Sequence, residues 1–171
     1  MRIIRLPGIH HDANAVIFAG NESSVLVDAG TTWYQMLQVE RISGHLGERK
    51  LSKILLTSRR YPFSGAAKYI SENNGNIPIH IHEDAISVLQ TGDFYSTWAN
   101  RYDSDMPSTD CVQVTQGDQF NLGDGSITAL SLPGHCTDGM GYFEVEREVL
   151  CTGAVLPRAD TPSTVSYTHL T

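Results

Sequence analysis

The chain has 171 residues, of which 40% are hydrophobic and 18% charged, and a mean hydropathy of -0.20 excludes a disordered or collagen-like polymer. That length predicts a single domain with a real core. Twelve Lys and Arg against 19 Asp and Glu leave a net charge of -7, the wrong sign for gripping a phosphate backbone, so nucleic acid is not an expected partner.

Short β-rich runs open the chain at Ile3 to Leu6, Ala15 to Ala19 and Ser24 to Val27, punctuated by Gly8, Gly20-Asn21 and Gly30. They predict a meander. Thr31 and Thr32 are candidate N-caps, and Trp33, Met36, Leu37, Val39, Ile42 and Leu46 follow at helical spacing up to Gly47, which predicts a helix with that face in the core. Ile54 to Leu56 reads as a strand, Gly65 to Ile70 as the start of a helix closing at Asn73 to Gly75, and Ile77 to Ile81 as the next strand. This is a βαβ unit. Glu83 to Leu89 reads as a helix, whereas Phe94 to Tyr102 fits either a helix or an aromatic-rich loop.

Val112 to Thr115, Phe120 to Leu122 and Ile127 to Leu132, the last two joined by the Gly123-Asp124-Gly125 turn, predict a hairpin region, with a second hairpin over Gly141 to Val145 and Val149 to Thr152. The order predicts a sheet-on-sheet core with helices on the outer faces. The domain is expected over 1–156, followed by an irregular tail over 157–171 whose Val165 to Thr171 reads as foreign sequence, with the native end missing.

Cys111, Cys136 and Cys151 are an odd count with no close pair, which suits a reducing compartment. The apolar runs fall short of the roughly 20 residues that a membrane-crossing helix needs, and Met1 to Pro7 reaches a Pro-Gly turn before any leader-like stretch. A soluble, cytoplasmic protein without a membrane partner is the expectation.

Several anchors carry a resemblance. Val25-Leu26-Val27-Asp28-Ala29-Gly30, Ile54-Leu55-Leu56-Thr57, Phe63-Ser64-Gly65-Ala66, Leu132-Pro133-Gly134-His135 and Leu150-Cys151-Thr152-Gly153 occur in this order. In order and spacing the chain resembles the metallo-β-lactamase superfamily, especially its glyoxalase-II-like hydrolase branch. The resemblance implies an α/β fold, an αββα sandwich incomplete at its C-terminal end, and metal-dependent ester or thioester hydrolysis as the ancestral activity.

That chemistry requires a metal cradle. After the strand-ending threonine the family carries His-x-His-x-Asp-His, which lets two divalent metals polarise a carbonyl and activate water. Here the stretch is Ser58-Arg59-Arg60-Tyr61-Pro62-Phe63. By register Ser58 and Arg60 replace the first-site histidines, Pro62 and Phe63 replace the second-site aspartate and histidine, and Ala154 replaces the bridging aspartate. His135 matches a ligand, and His169 arrives too early to match the last one. A lone imidazole does not hold catalytic zinc, and a guanidinium repels it. No metal and no cofactor is therefore expected.

The other candidates are weaker. His80 and His82 share a strand face at a spacing a metal could use, but His82 reads as a structural helix-entry residue. His10-His11-Asp12 reads as a hydrogen-bonded or solvated loop. Cys136 beside His135 has the composition of a nucleophile pair, yet adjacent side chains usually point apart. Arg59 and Arg60 admit two readings: ordinary surface cations, or donors, with Ser58, Tyr61 and His135, in a pocket turned from cation binding to a carboxylate or phosphate. The expected function is a non-catalytic binding or scaffolding domain, for which a small anion is the candidate ligand. The alternative is a hydrolase with a remade site built on His135 and one of His80, His82 or Cys136.

Overall fold

The computed structural model describes residues 1–155, so the tail expected over 157–171 lies outside the described residues. Arg2–Leu6 (β1), Ala15–Ala19 (β2), Ser24–Val27 (β3), Lys53–Leu55 (β4), Ile79–His82 (β5) and Val112–Val114 (β6) form a six-stranded sheet in sequence order. β1, β2 and β3 are the antiparallel meander. From β3 to β6 the pairing is parallel, because the crossovers carry Gln35–Leu46 (α1), Tyr61–Ser64 (α2), Ala67–Asn73 (α3) and Glu83–Thr91 (α4). Gln119–Asn121 (β7), Ser126–Ser131 (β8), Met140–Glu144 (β9) and Val149–Cys151 (β10) make a second, antiparallel sheet in the order β10-β9-β8-β7. The Phe94 to Tyr102 stretch is a loop of tight turns that ends in a 3₁₀ turn at Ala99–Tyr102.

The period-2 alternation of the central strands divides the core into two layers. Ile17, Leu26 and Ile54 face the helices, where they join Ile42, Leu46, Ile70, Ala85 and Leu89. Phe18, Val25, Val27 and Leu55 face the second sheet, where they meet Ile127, Ala129, Met140 and Tyr142. All four residues of β3 are buried, as a strand covered on both faces requires. Among the described residues the layer order is helices, first sheet, second sheet.

The helix after β3 departs from its expected face. Trp33 is 48% exposed, Met36 67% and Leu37 41%, and the buried residues of α1 are Gln38, Ile42 and Leu46. Within α1, Gln38, Ile42 and Leu46 recur at i, i+4 and i+8 on the face turned to the core, which carries Met36 and Leu37 to the other side, and the 3₁₀ turn at Thr32–Tyr34 shifts the phase of Trp33 before it. Nor do the threonine hydroxyls cap the helix. Thr31 Oγ1 donates to Asp12 Oδ1 at 2.5 Å, and Thr32 shares its hydroxyl with that of Tyr61. Gly47 closes the helix with φ 63, as expected.

A buried clasp joins the two sheets. Asp28, just past β3 and 3% exposed, accepts from the Thr57 N–H at 2.9 Å and from its hydroxyl at 2.9 and 2.8 Å. The Thr57 carbonyl accepts from the Met140 N–H at 2.9 Å, and the Tyr142 hydroxyl donates to the Leu56 carbonyl at 2.9 Å. The ends of β3 and β4 are thus tied to the start of β9.

The shifted helix face yields a direct test by urea denaturation. Ile42→Ala is expected to lose about 2–5 kcal/mol of stability, whereas Met36→Ala should stay within about 0.5 kcal/mol of the parent. Equal losses would restore the face expected from spacing alone.

Candidate functional site

The loop that leaves β4 is held from several sides. The Ala13 N–H donates to the Pro62 carbonyl at 2.9 Å, the Ala29 N–H to the Phe63 carbonyl at 2.7 Å, and the Tyr61 N–H to the Thr97 carbonyl at 2.8 Å. Asp138 is fully buried; it accepts from the Arg59 N–H at 2.7 Å and pairs with the Arg59 guanidinium at 3.3 Å. Ser64 closes the loop by donating to the Arg59 and Arg60 carbonyls at 2.8 and 3.1 Å. Such a fixed loop presents its side chains from defined positions.

Those side chains do not all point to one place. Tyr61 is fully buried, and its hydroxyl meets Ser104 Oγ at 2.6 Å and accepts from the Thr32 N–H at 3.2 Å. Tyr61 therefore packs in the helix-side core, and is not a donor at a pocket mouth as expected from sequence. Ser58 is 1% exposed and lies with its Oγ 3.5 Å from Cys136 Sγ. Both guanidiniums reach the carbonyl of Ser96, Arg59 through Nε at 3.4 Å and Arg60 through Nη1 at 3.1 Å.

Arg60 also stacks on Trp98, its Cζ 3.4 Å from the ring centroid, and His135 meets the same tryptophan edge-on at a centroid separation of 5.8 Å. Arg60 and His135 thus share one locus. Partial burial lowers the pKa of Arg60, and burial followed by the Arg60 charge lowers that of His135, which favours the neutral imidazole. Arg60 Nε is shielded from solvent without a hydrogen-bond partner among the described residues.

A cleft of about 540 Å³ opens beside this locus, lined by Asp12, Asp28, Phe63, His135, Cys151 and Gly153 among others. Of the site residues expected from sequence, only His135 lines it. Gly153, at φ 57, lies so close to Thr57 that a Cβ would fall 2.3 Å from Oγ1, so the approach of β10's end to β4's end requires glycine. Phe63 forms cleft wall at an expected ligand position.

The described residues do not present the ligand set of a hydrolytic metal pair. Catalytic zinc takes about three protein ligands, and among the described residues no three His, Cys, Asp or Glu side chains are grouped to hold a metal ion. The alternative clusters stay apart. His82 caps α4, its Nδ1 accepting from the Asp84 N–H at 3.2 Å, and His80 packs edge-on against Phe120 at 5.3 Å. Neither stands in the Trp98 locus with His135. Asp12 accepts from the Thr31 N–H at 2.9 Å, while His10 and His11 make edge contacts with Tyr34, Trp33 and Tyr102. Burial pushes the Cys136 thiol up to about 11, which removes the thiolate that a nucleophile needs.

Sequence reasoning missed Trp98, Arg101, Ser96 and Asp138. Trp98 sits at φ 63, a left-handed conformation that costs a bulky residue roughly 1–2 kcal/mol. It is held there by its N–H bond to the Tyr95 carbonyl and by the Arg101 N–H on its own carbonyl, each 3.0 Å. The signal available was the aromatic density of Phe94 to Tyr102 beside Arg101.

Asp28 generates a pH test. Burial raises its pKa from 3.8 to about 7, so the folded chain binds this proton more tightly than the unfolded chain does. Stability is then greatest below the unfolded value and declines as pH rises from about 4 to about 7, by about 4 kcal/mol for this one group. Asp28→Asn, which retains an acceptor for Thr57, is expected to flatten that decline in urea midpoints measured across the range. An unchanged slope would remove Asp28 as its source.

The comparisons with known proteins agree with this architecture. The chain is 24% identical to human acyl-coenzyme A thioesterase MBLAC2, over 84% of this chain and 58% of that one. Solved structures similar in fold include BLEG-1, a B3 metallo-β-lactamase, at TM-score 0.76 and 16% identity over 91% of this chain and 73% of that one. BJP-1 of Bradyrhizobium japonicum, a subclass B3 metallo-β-lactamase, gives TM-score 0.66 and 19% identity, covering 77% and 50%. A Cronobacter sakazakii metallo-β-lactamase named for its HARLDQ motif gives 0.65 and 17%, covering 77% and 51%. The chain therefore spans 58% of the length of the curated relative and about half that of two of these structures. With the family model matching residues 9–170 and the two-sheet fold in place, the chain belongs to the metallo-β-lactamase superfamily.

Proposed function

We propose that this chain is a metallo-β-lactamase-fold domain that has lost the dinuclear centre and acts as a non-catalytic binding or scaffolding domain for a small anion, a carboxylate or phosphate. The observation that carries the reading is Arg60. It stands at an expected ligand position, and its guanidinium is held on Trp98 beside His135. A fixed cation there supplies the positive charge that a metal supplies in a hydrolase, and guanidinium forks suit carboxylate and phosphate oxygens. Without an activated water such a site binds and does not hydrolyse. Similarity to a thioesterase makes carboxylate- and phosphate-bearing acyl derivatives reasonable ligands to screen. A cytoplasmic setting belongs to the same reading, supported by three free cysteines.

A second reading, an active hydrolase with an atypical metal site, is favoured by one observation. The motif name HARLDQ carries an arginine in third place, where this chain has Arg60. That motif nevertheless keeps an initial histidine and an aspartate, and here those places hold Ser58 and Pro62.

Elemental mass spectrometry of purified protein separates the two. The expected outcome is no stoichiometric zinc, iron or manganese and no chelator-sensitive esterase or thioesterase activity; a tightly bound metal in each chain would overturn the first reading. Calorimetric titration with acetate and phosphate should detect binding that Arg60→Ala weakens by about 1.5–3 kcal/mol, the worth of a charged hydrogen bond. Equal binding by parent and variant would exclude Arg60 as the anchor.

A further inference from the structure

Trp98 carries a second guanidinium. Arg101 Cζ lies 3.9 Å from the ring centroid, against 3.4 Å for Arg60, so two arginines from different loops are gathered on one indole. Cations over an aromatic face are attracted by its quadrupole, but the indole carries no net charge and does not neutralise them. Two of the acids nearby are bonded to other groups. Asp138 pairs with Arg59, and Asp93 accepts from the Tyr95 and Ser96 N–H groups and the Ser96 hydroxyl, each at 2.8 to 2.9 Å.

Neither Arg60 nor Arg101 has an acidic ion-pair partner among the described residues. On a chain of net charge -7, two guanidiniums gathered at one aromatic residue without an ion pair of their own among the described residues concentrate positive charge locally. The loop that creates it is built to hold still. Asp93 organises the turn, Thr97 Oγ1 donates to the Asp93 carbonyl at 2.6 Å, and Trp98 is kept in its left-handed conformation. Strain of that kind persists where the surroundings over-determine the geometry.

We propose that Arg60 and Arg101, positioned by Trp98, form a two-guanidinium site selective for a dianionic phosphate group over a monocarboxylate. This rests on the anion-binding reading and narrows its ligand class. A carboxylate brings one charge and satisfies one fork. A phosphate monoester brings nearly two charges and three acceptor oxygens, enough to engage both arginines at once. Arg101 is exposed, so it meets an incoming ligand at the rim, while partly buried Arg60 holds the ligand from below.

The test is calorimetric titration of the full chain at about pH 8, where phosphate is mainly a dianion, with inorganic phosphate and with acetate at matched ionic strength. Phosphate is expected to bind at least about tenfold more tightly than acetate, the equivalent of one additional charged hydrogen bond. Arg101→Gln, at an exposed position, should abolish that preference while leaving acetate binding in place, with an unchanged urea midpoint as the check on folding. Trp98→Phe, which keeps an aromatic face, should retain much of the preference. Equal affinities for the two anions, or an unchanged preference in Arg101→Gln, would overturn the dianion site while leaving anion binding by Arg60 intact. Failure of the parent chain to bind either anion would overturn both.

Discussion

The Asp28–Thr57 clasp is the constraint on which the rest of the architecture hangs. A carboxylate just past β3 takes the N–H and hydroxyl of Thr57, two residues beyond β4, in a setting where burial makes its ionised form expensive. Those bonds fix where β4 stops. Thr57 then passes the constraint on through its carbonyl, which anchors the start of β9. The second sheet is therefore docked by a backbone bond at the strand ends as well as by the apolar layer between the sheets. Gly153 completes the arrangement by letting the end of β10 close on Thr57 without a Cβ in the way.

Because β4 ends at a fixed point, the loop that follows begins from one, and the chemistry of that loop depends on what its residues can do from there. Arg59 turns to the buried Asp138 and Arg60 to Trp98. The two neighbouring arginines thus have unlike roles. The first is an internal ion pair whose partner, fully buried, would be costly to leave alone. The second is a cation packed against an aromatic ring next to His135. Arg101 joins it on that ring, and this concentration of positive charge is supported by a loop held by its own turn bonds and by Tyr61, Arg59 and Arg60 from the loop after β4.

How much of this was legible in the sequence can be judged residue by residue. The strands were legible because their apolar alternation and glycine punctuation are local properties, as Ala15 to Ala19 and Ser24 to Val27 illustrate. The helix after β3 was legible in extent and not in facing: Gln38 is buried and Met36 exposed, since the face at i, i+4 and i+8 through Gln38, Ile42 and Leu46 leaves Met36 on the other side. His82 as a helix-entry residue was legible because capping is local. Tyr61 misled, because nothing adjacent to it in sequence announces Thr32 and Ser104 as partners of its hydroxyl.

By itself the sequence determined the superfamily's strand order, the βαβ unit and the residue types at the positions where the family carries ligands, all of which are written in short-range pattern and spacing. Only the tertiary structure decided that Arg60 lies on Trp98, that Asp138 belongs to Arg59, and that Arg101 shares the tryptophan. The first two join loops far apart in the chain and the third depends on the left-handed turn at Trp98, and whether a charged side chain meets a carboxylate, a ring or water depends on how those segments close on one another. A sequence lists the charges, whereas their pairing and the field left over are properties of the folded surface.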